Sequence, residues 1–119
     1  MESGSIVLTP MPQADGQRKN RPALVLCATR PFGDLLICGV STQLRLEVAG
    51  FDEVIAPGDE DFRNSGLAAK SLIRIGYLST LPATEIKGRI GKVGHHRLVR
   101  ALSRLADYLA IEAREAQIP

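Results

Sequence analysis

The residues best suited to chemistry in this 119-residue chain are a cation locked beside a proline, Arg21-Pro22, and a run of hydroxyls, Ser41-Thr42, that closes an apolar segment. Pro22 fixes its own φ and biases Arg21 toward an extended backbone, so the guanidinium is expected on a stiff hinge at the mouth of a strand. A guanidinium stays protonated and offers a planar fork of donors matched to phosphate oxygens, so this placement suits phosphate recognition. Ser41 and Thr42 also fit ordinary strand-end capping. Asp15, in the loop before Arg21, reads as an Asp-Gly turn or as a carboxylate close to whatever Arg21 binds.

Other chemistries fail on spacing. His95 and His96 are adjacent, so they do not share a helix face, and no Cys or carboxylate completes a metal set. They read as solvated residues at a helix start. Gly66-Leu-Ala-Ala-Lys-Ser71 ends like a phosphate loop, but Ala69 replaces the required glycine. Gly88, Gly91 and Gly94 lack dinucleotide-binding spacing. The acidic run Asp59-Glu60-Asp61 lacks the calcium-loop pattern and reads as a solvated turn.

The elements that must position Arg21 and the hydroxyls are mostly short strands. Ser5–Thr9 is apolar and β-branched, and Pro10, Pro12, Asp15 and Gly16 predict a loop through about Asn20. Ala23–Ala28 is a continuous apolar run, expected as a central strand, and Leu35–Val40 repeats it after the Pro31-Phe-Gly-Asp34 turn. Leu44, Leu46 and Val48 alternate with Arg45 and Glu47, which predicts another strand. Val54–Ala56 and the segments on either side of Gly76, Leu72–Ile75 and Tyr77–Leu81, follow. Pro82 opens a helical turn before a glycine-broken strand over 88–94. From His95 to about Glu115 the period changes. Leu98, Leu102, Leu105 and Leu109 recur every three or four residues, with Arg97, Arg100, Arg104 and Asp107 between them, as in an amphipathic helix. The expected fold is mainly β with α, a small SH3-like curved antiparallel barrel with a C-terminal helix, as a single domain over 1–119.

Composition narrows the function classes. A hydrophobic content of 45% fits a folded domain rather than a disordered tail. Aromatics make up only 4%, so any nucleic acid would be held by cations and polar groups more than by stacking. The net charge of +2 does not by itself announce a nucleic-acid binder, but Arg18, Lys19, Arg21, Lys87, Arg89 and Lys92 cluster apart from an acidic middle. Cys27 and Cys38 have no metal or redox spacing and read as reduced thiols. No apolar run approaches the roughly 20 residues of a membrane span, and the N-terminus lacks secretory features, so a cytoplasmic location is expected.

The polar loop followed by Arg21-Pro-Ala-Leu-Val-Leu26 resembles the MazF/PemK/Kid toxins, the ribonuclease components of type II toxin–antitoxin systems, and the likeness extends over roughly residues 4–112. The resemblance implies a CcdB/MazF-type barrel and a metal-independent, sequence-specific endoribonuclease that cuts single-stranded RNA through 2′-OH attack, with no cofactor. It implies catalytic roles for Arg21, Ser41 and Thr42, with Arg21 stabilising the phosphorane and a hydroxyl orienting the phosphate or the 2′-OH. Asp15, Arg18, Lys19, Gln43, Lys70 and Arg74 would contact the RNA, with Asp15 the candidate base for the 2′-OH. A homodimer and a cognate antitoxin are the implied partners.

Two positions depart from the family pattern. Gly76 stands where the Kid branch carries an acid two residues after the arginine matched here by Arg74, and Ser5 stands where Asp or Glu is common. Two other readings are a CcdB-like gyrase-binding toxin, which has no need of Arg21, and an inactive SH3-like interaction module, which Gly76 would permit.

Overall fold

In a computed structural model describing residues 1–118, six strands form one antiparallel sheet. They are β1 (Ser5–Pro12), β2 (Arg18–Ala28), β3 (Leu35–Ser41), β4 (Glu53–Ile55), β5 (Ser71–Leu81) and β6 (Gly88–Lys92). Their order across the sheet is β4-β5-β3-β2-β1-β6. A one-turn helix, α1 (Phe62–Ser65), precedes β5, and a long helix, α2 (His95–Ala116), follows β6. The architecture is a curled half-barrel with a C-terminal helix, the mainly-β fold with α expected of the sequence.

The continuous apolar runs become β2 and β3 because both faces of these strands are covered. Alternate residues feed two cores. Ile6, Leu24, Leu26, Cys38, Ile73 and Ile75 pack with Ala101 and Leu105 of α2. Val7, Met11, Ala23, Val25, Ile37 and Leu81 form a second cluster, with Tyr77 against it. Cys27 and Cys38 are free thiols. Burial, with a smaller push from the Asp52 charge, raises the Cys38 thiol to about 12.

Four sequence expectations need correction. The loop expected from Pro10 to Asn20 is shorter, because β1 runs to Pro12 and β2 begins at Arg18. The Leu8 carbonyl accepts from the Lys87 amide, so even-numbered positions of β1 turn their backbone away from β2. Pro10 and Pro12 therefore sacrifice no bond to β2, which is how strand prolines are tolerated.

Leu44–Leu46 is a 3-10 turn, not a strand. The carboxylate of Asp52 accepts from the Val48 amide at 2.9 Å and from the Ile75 amide at 3.0 Å, satisfying groups that strand pairing would otherwise serve. Gly76 does not divide two strands but lies inside β5. Finally, the leucine stripe of α2 is buried only as far as Leu105. Leu109 is 56% exposed, and Arg97 occupies a buried position that a purely apolar stripe would not allot to it.

Candidate functional site

A cleft of about 690 Å³ opens between the β1–β2 hairpin and the segment where β3 ends and β5 begins. Hairpin residues Met11, Gln13, Arg21 and Pro22 line one wall. Ser41, Thr42, Gln43, Leu46, Ala69 and Arg74 line the other. Leu8 lies opposite Pro22, and since Leu8 turns its backbone away from β2, the absent amide of Pro22 points away from β1. That side is unpaired, because β3 meets β2 only from Ala23 onward.

Arg21 is thus the fourth residue of β2, not at its mouth. It stands opposite Thr9 in the β1–β2 register, is exposed, and has no side-chain hydrogen bond or ion pair among the described residues. Ser41 Oγ accepts from the Gln43 amide at 3.0 Å, a local turn that leaves its O–H free to donate. Gln43 Oε1 accepts from the Arg45 guanidinium at 2.7 Å, and Thr42 is exposed. The Arg74 guanidinium lies 4.8 Å from the centroid of the Tyr77 ring. Among the described residues no carboxylate or imidazole lines the cleft.

Five of the candidate residues therefore converge: Arg21, Ser41, Thr42, Gln43 and Arg74. Arg18 and Lys19 are exposed on the hairpin and Lys70 beside the cleft, and none of the three is in the lining. Asp15 also lies outside it, and its carboxylate accepts from the Gln17 amide at 2.9 Å, which is a local turn. A side chain on Gly76 would begin 3.3 Å from Phe51 Cε2, and that ring packs against Tyr108 on α2. The hydroxyls of Ser5 and Thr9 are buried without a partner among the described residues.

The acidic middle is not a solvated run, contrary to the sequence expectation. Arg97, on α2, reaches Glu53 at 3.1 Å, Asp59 at 3.0 Å and Asp61 at 2.8 Å. Arg100 and Arg104 also pair with Glu53, at 3.0 Å and 2.6 Å. Burial opposes ionisation of Asp61. The Arg97 hydrogen bond, the Gly94 amide and the Arg97 charge outweigh it and hold the carboxyl below its ordinary value. A second cleft of about 700 Å³ adjoins this network at the start of α2, where His95 and His96 are exposed. The signal that could have found the network is the spacing of Arg97, Arg100 and Arg104, which places three arginines along one side of the helix.

The profile of a family described as "PemK-like, MazF-like toxin of type II toxin-antitoxin system" matches residues 2–109. The chain belongs to this toxin family. The match takes in every strand and all of the cleft, and it ends within α2, whose last seven residues lie beyond it. Membership of a type II toxin family carries with it an antitoxin partner. No curated protein matches the chain at a significant level. Among the described residues no helix is long and apolar enough to cross a membrane.

Proposed function

We propose that this PemK/MazF-like toxin is a metal-independent endoribonuclease that cuts single-stranded RNA at particular sequences. The observation that carries the reading is the unpaired Arg21 guanidinium sharing one cleft with the Ser41 and Thr42 hydroxyls. RNA brings its own nucleophile, the 2′-OH beside the scissile phosphate. The protein has only to align that oxygen and stabilise the charge of the pentacoordinate phosphorane. The P–O5′ bond breaks as the 2′-oxygen bonds to phosphorus, giving a 2′,3′-cyclic phosphate and a 5′-OH end.

Arg21 stabilises the phosphorane and helps the leaving oxygen gain a proton. Ser41 donates to a phosphate oxygen or to the ribose, and Thr42 and Gln43 hold the neighbouring nucleotide. Arg74 binds a flanking phosphate or base, while Arg18, Lys19 and Lys70 draw the backbone toward the cleft. Because no carboxylate or imidazole lines the cleft among the described residues, the proton of the 2′-OH passes to water or to a side chain from the other protomer of a homodimer. Exposed base edges of an unpaired strand supply the sequence preference.

The test is incubation of the purified protein with a long single-stranded RNA in excess EDTA, beside Arg21→Ala. Discrete fragments with 5′-OH ends from the wild type alone are expected. Intact RNA under these conditions would reject the reading.

A further inference from the structure

We propose that Tyr77 is a positioning residue that braces the two walls of the cleft and sets Arg21 and Arg74 relative to each other. The inference rests on the ribonuclease reading for its consequence, but not for its geometry. Tyr77 touches both sides at once. Its hydroxyl donates to the carbonyl of Pro12, at the end of β1 on the hairpin that carries Arg21. Its ring faces the guanidinium of Arg74, within range of a cation–π attraction.

The backbone is arranged to aim this ring. Cys38 pairs with Leu78 and Gly39 with Arg74, so Ile75, Gly76 and Tyr77 are looped out of the β3–β5 ladder. Such bulges turn side chains away from their regular direction. Opposite the bulge, a Cβ on Gly39 would lie 2.8 Å from Tyr77 Cδ2, so only glycine lets the ring rest on β3. Met11 closes the contact, its methyl 3.5 Å from the same point.

Without the brace, the part of β2 from Arg18 to Pro22 is held by β1 alone, because β3 pairs with β2 only from Ala23. A two-stranded ribbon of that kind is marginally stable in water. The phenol–carbonyl bond therefore keeps the hairpin, and Arg21 with it, at a fixed distance from Arg74 and Ser41. Tyr77 does not touch the reacting atoms in this scheme.

Tyr77→Phe keeps the ring and removes the hydroxyl, whereas Tyr77→Leu removes both. Three measurements separate the roles: amide hydrogen exchange over residues 13–20, binding of an uncleavable 2′-deoxy oligonucleotide, and kcat on RNA. Tyr77→Phe is expected to speed hairpin exchange about 3- to 10-fold and to lower kcat about 10-fold, with oligonucleotide binding unchanged. Tyr77→Leu is expected to weaken oligonucleotide binding as well, by about 3- to 10-fold.

Unchanged hairpin exchange in Tyr77→Phe would overturn the proposal whatever happens to kcat. A fall in kcat alone would mean that the hydroxyl touches RNA directly. Faster exchange with kcat intact would also overturn it, because hairpin order would then not matter to Arg21. If the wild type cuts no RNA, the ribonuclease reading fails by itself, and exchange together with oligonucleotide binding still decides whether Tyr77 is the brace.

Discussion

Arg97 Nε lies 2.8 Å from Asp61 Oδ2, and the same carboxylate oxygen accepts from the Gly94 amide at 2.9 Å. Asp61 thus pairs with a buried arginine and takes up the free amide of Gly94 at the start of α2, where Gly94 offers no side chain of its own.

Breaking this arrangement from the arginine side leaves Asp61 without its arginine and takes from the buried Glu53 one of its three. Arg97→Met is expected to lower stability by about 3–5 kcal/mol, read as the shift in a urea midpoint. Arg97→Lys should recover only part of the loss, because an ammonium cannot address three carboxylates and the Val54 carbonyl with one rigid fork.

The lowered Asp61 value makes the same contact sensitive to acid. A carboxyl whose folded value lies below its unfolded one adds stability that is complete above the unfolded value. That stability is lost as pH falls through the folded one. Urea midpoints should therefore decline below about pH 4, and Asp61→Asn, already weaker at neutral pH, should show a shallower acid limb. Equal acid slopes for the two proteins would remove Asp61 from the account.

Arg21 is exposed and unpaired, so its replacement should leave the melting transition within about 0.5 kcal/mol of the wild type. Its effect should fall on chemistry. Arg21→Ala is expected to cut RNA about 10²- to 10³-fold more slowly. Arg21→Lys should remain well below the wild type, because the planar fork is lost while the charge is kept. A lysine variant of full activity would assign Arg21 to charge attraction alone.

Two glycines of β6 make a matched pair for a steric test. A Cβ on Gly91 would collide with the Asn64 carbonyl and the Ser65 backbone of α1, whereas one on Gly88 meets nothing within 4 Å. Gly91→Ala should destabilise by about 1–3 kcal/mol or more, and Gly88→Ala should be close to neutral. Thermal melts of the two variants check this.

The local cues that were legible are those in which one segment determines its own fate. Ala23–Ala28 reads as a central strand because no polar residue interrupts it, and β2 is covered on both faces. Leu98, Leu102 and Leu105 announce the packed part of α2 through their spacing. The errors come from partners distant in the chain. Alternation over Leu44–Val48 mimics a strand, but the amides of Leu44, Leu46 and Glu47 close local turns, and Asp52 takes up that of Val48 and ties it to Ile75. Asp59 and Asp61 look solvated until α2 places Arg97 between them, 38 and 36 residues away. In the cleft, Arg21 and Ser41 were legible as chemical types. The place of Tyr77 was not, because it depends on a bulge that only the β3–β5 register reveals.

The ion-pair network on α2 also shapes how the molecule meets a polyanion. Glu53, Asp59 and Asp61 are spent on Arg97, Arg100 and Arg104, while among the described residues no acid lines the cleft that holds Arg21 and Arg74. A total of +2 therefore understates the local potential. Arg18, Lys19 and Arg21 stand exposed on the hairpin with only Asp15 among them, so that end would draw a polyanion in a way the sum does not reveal.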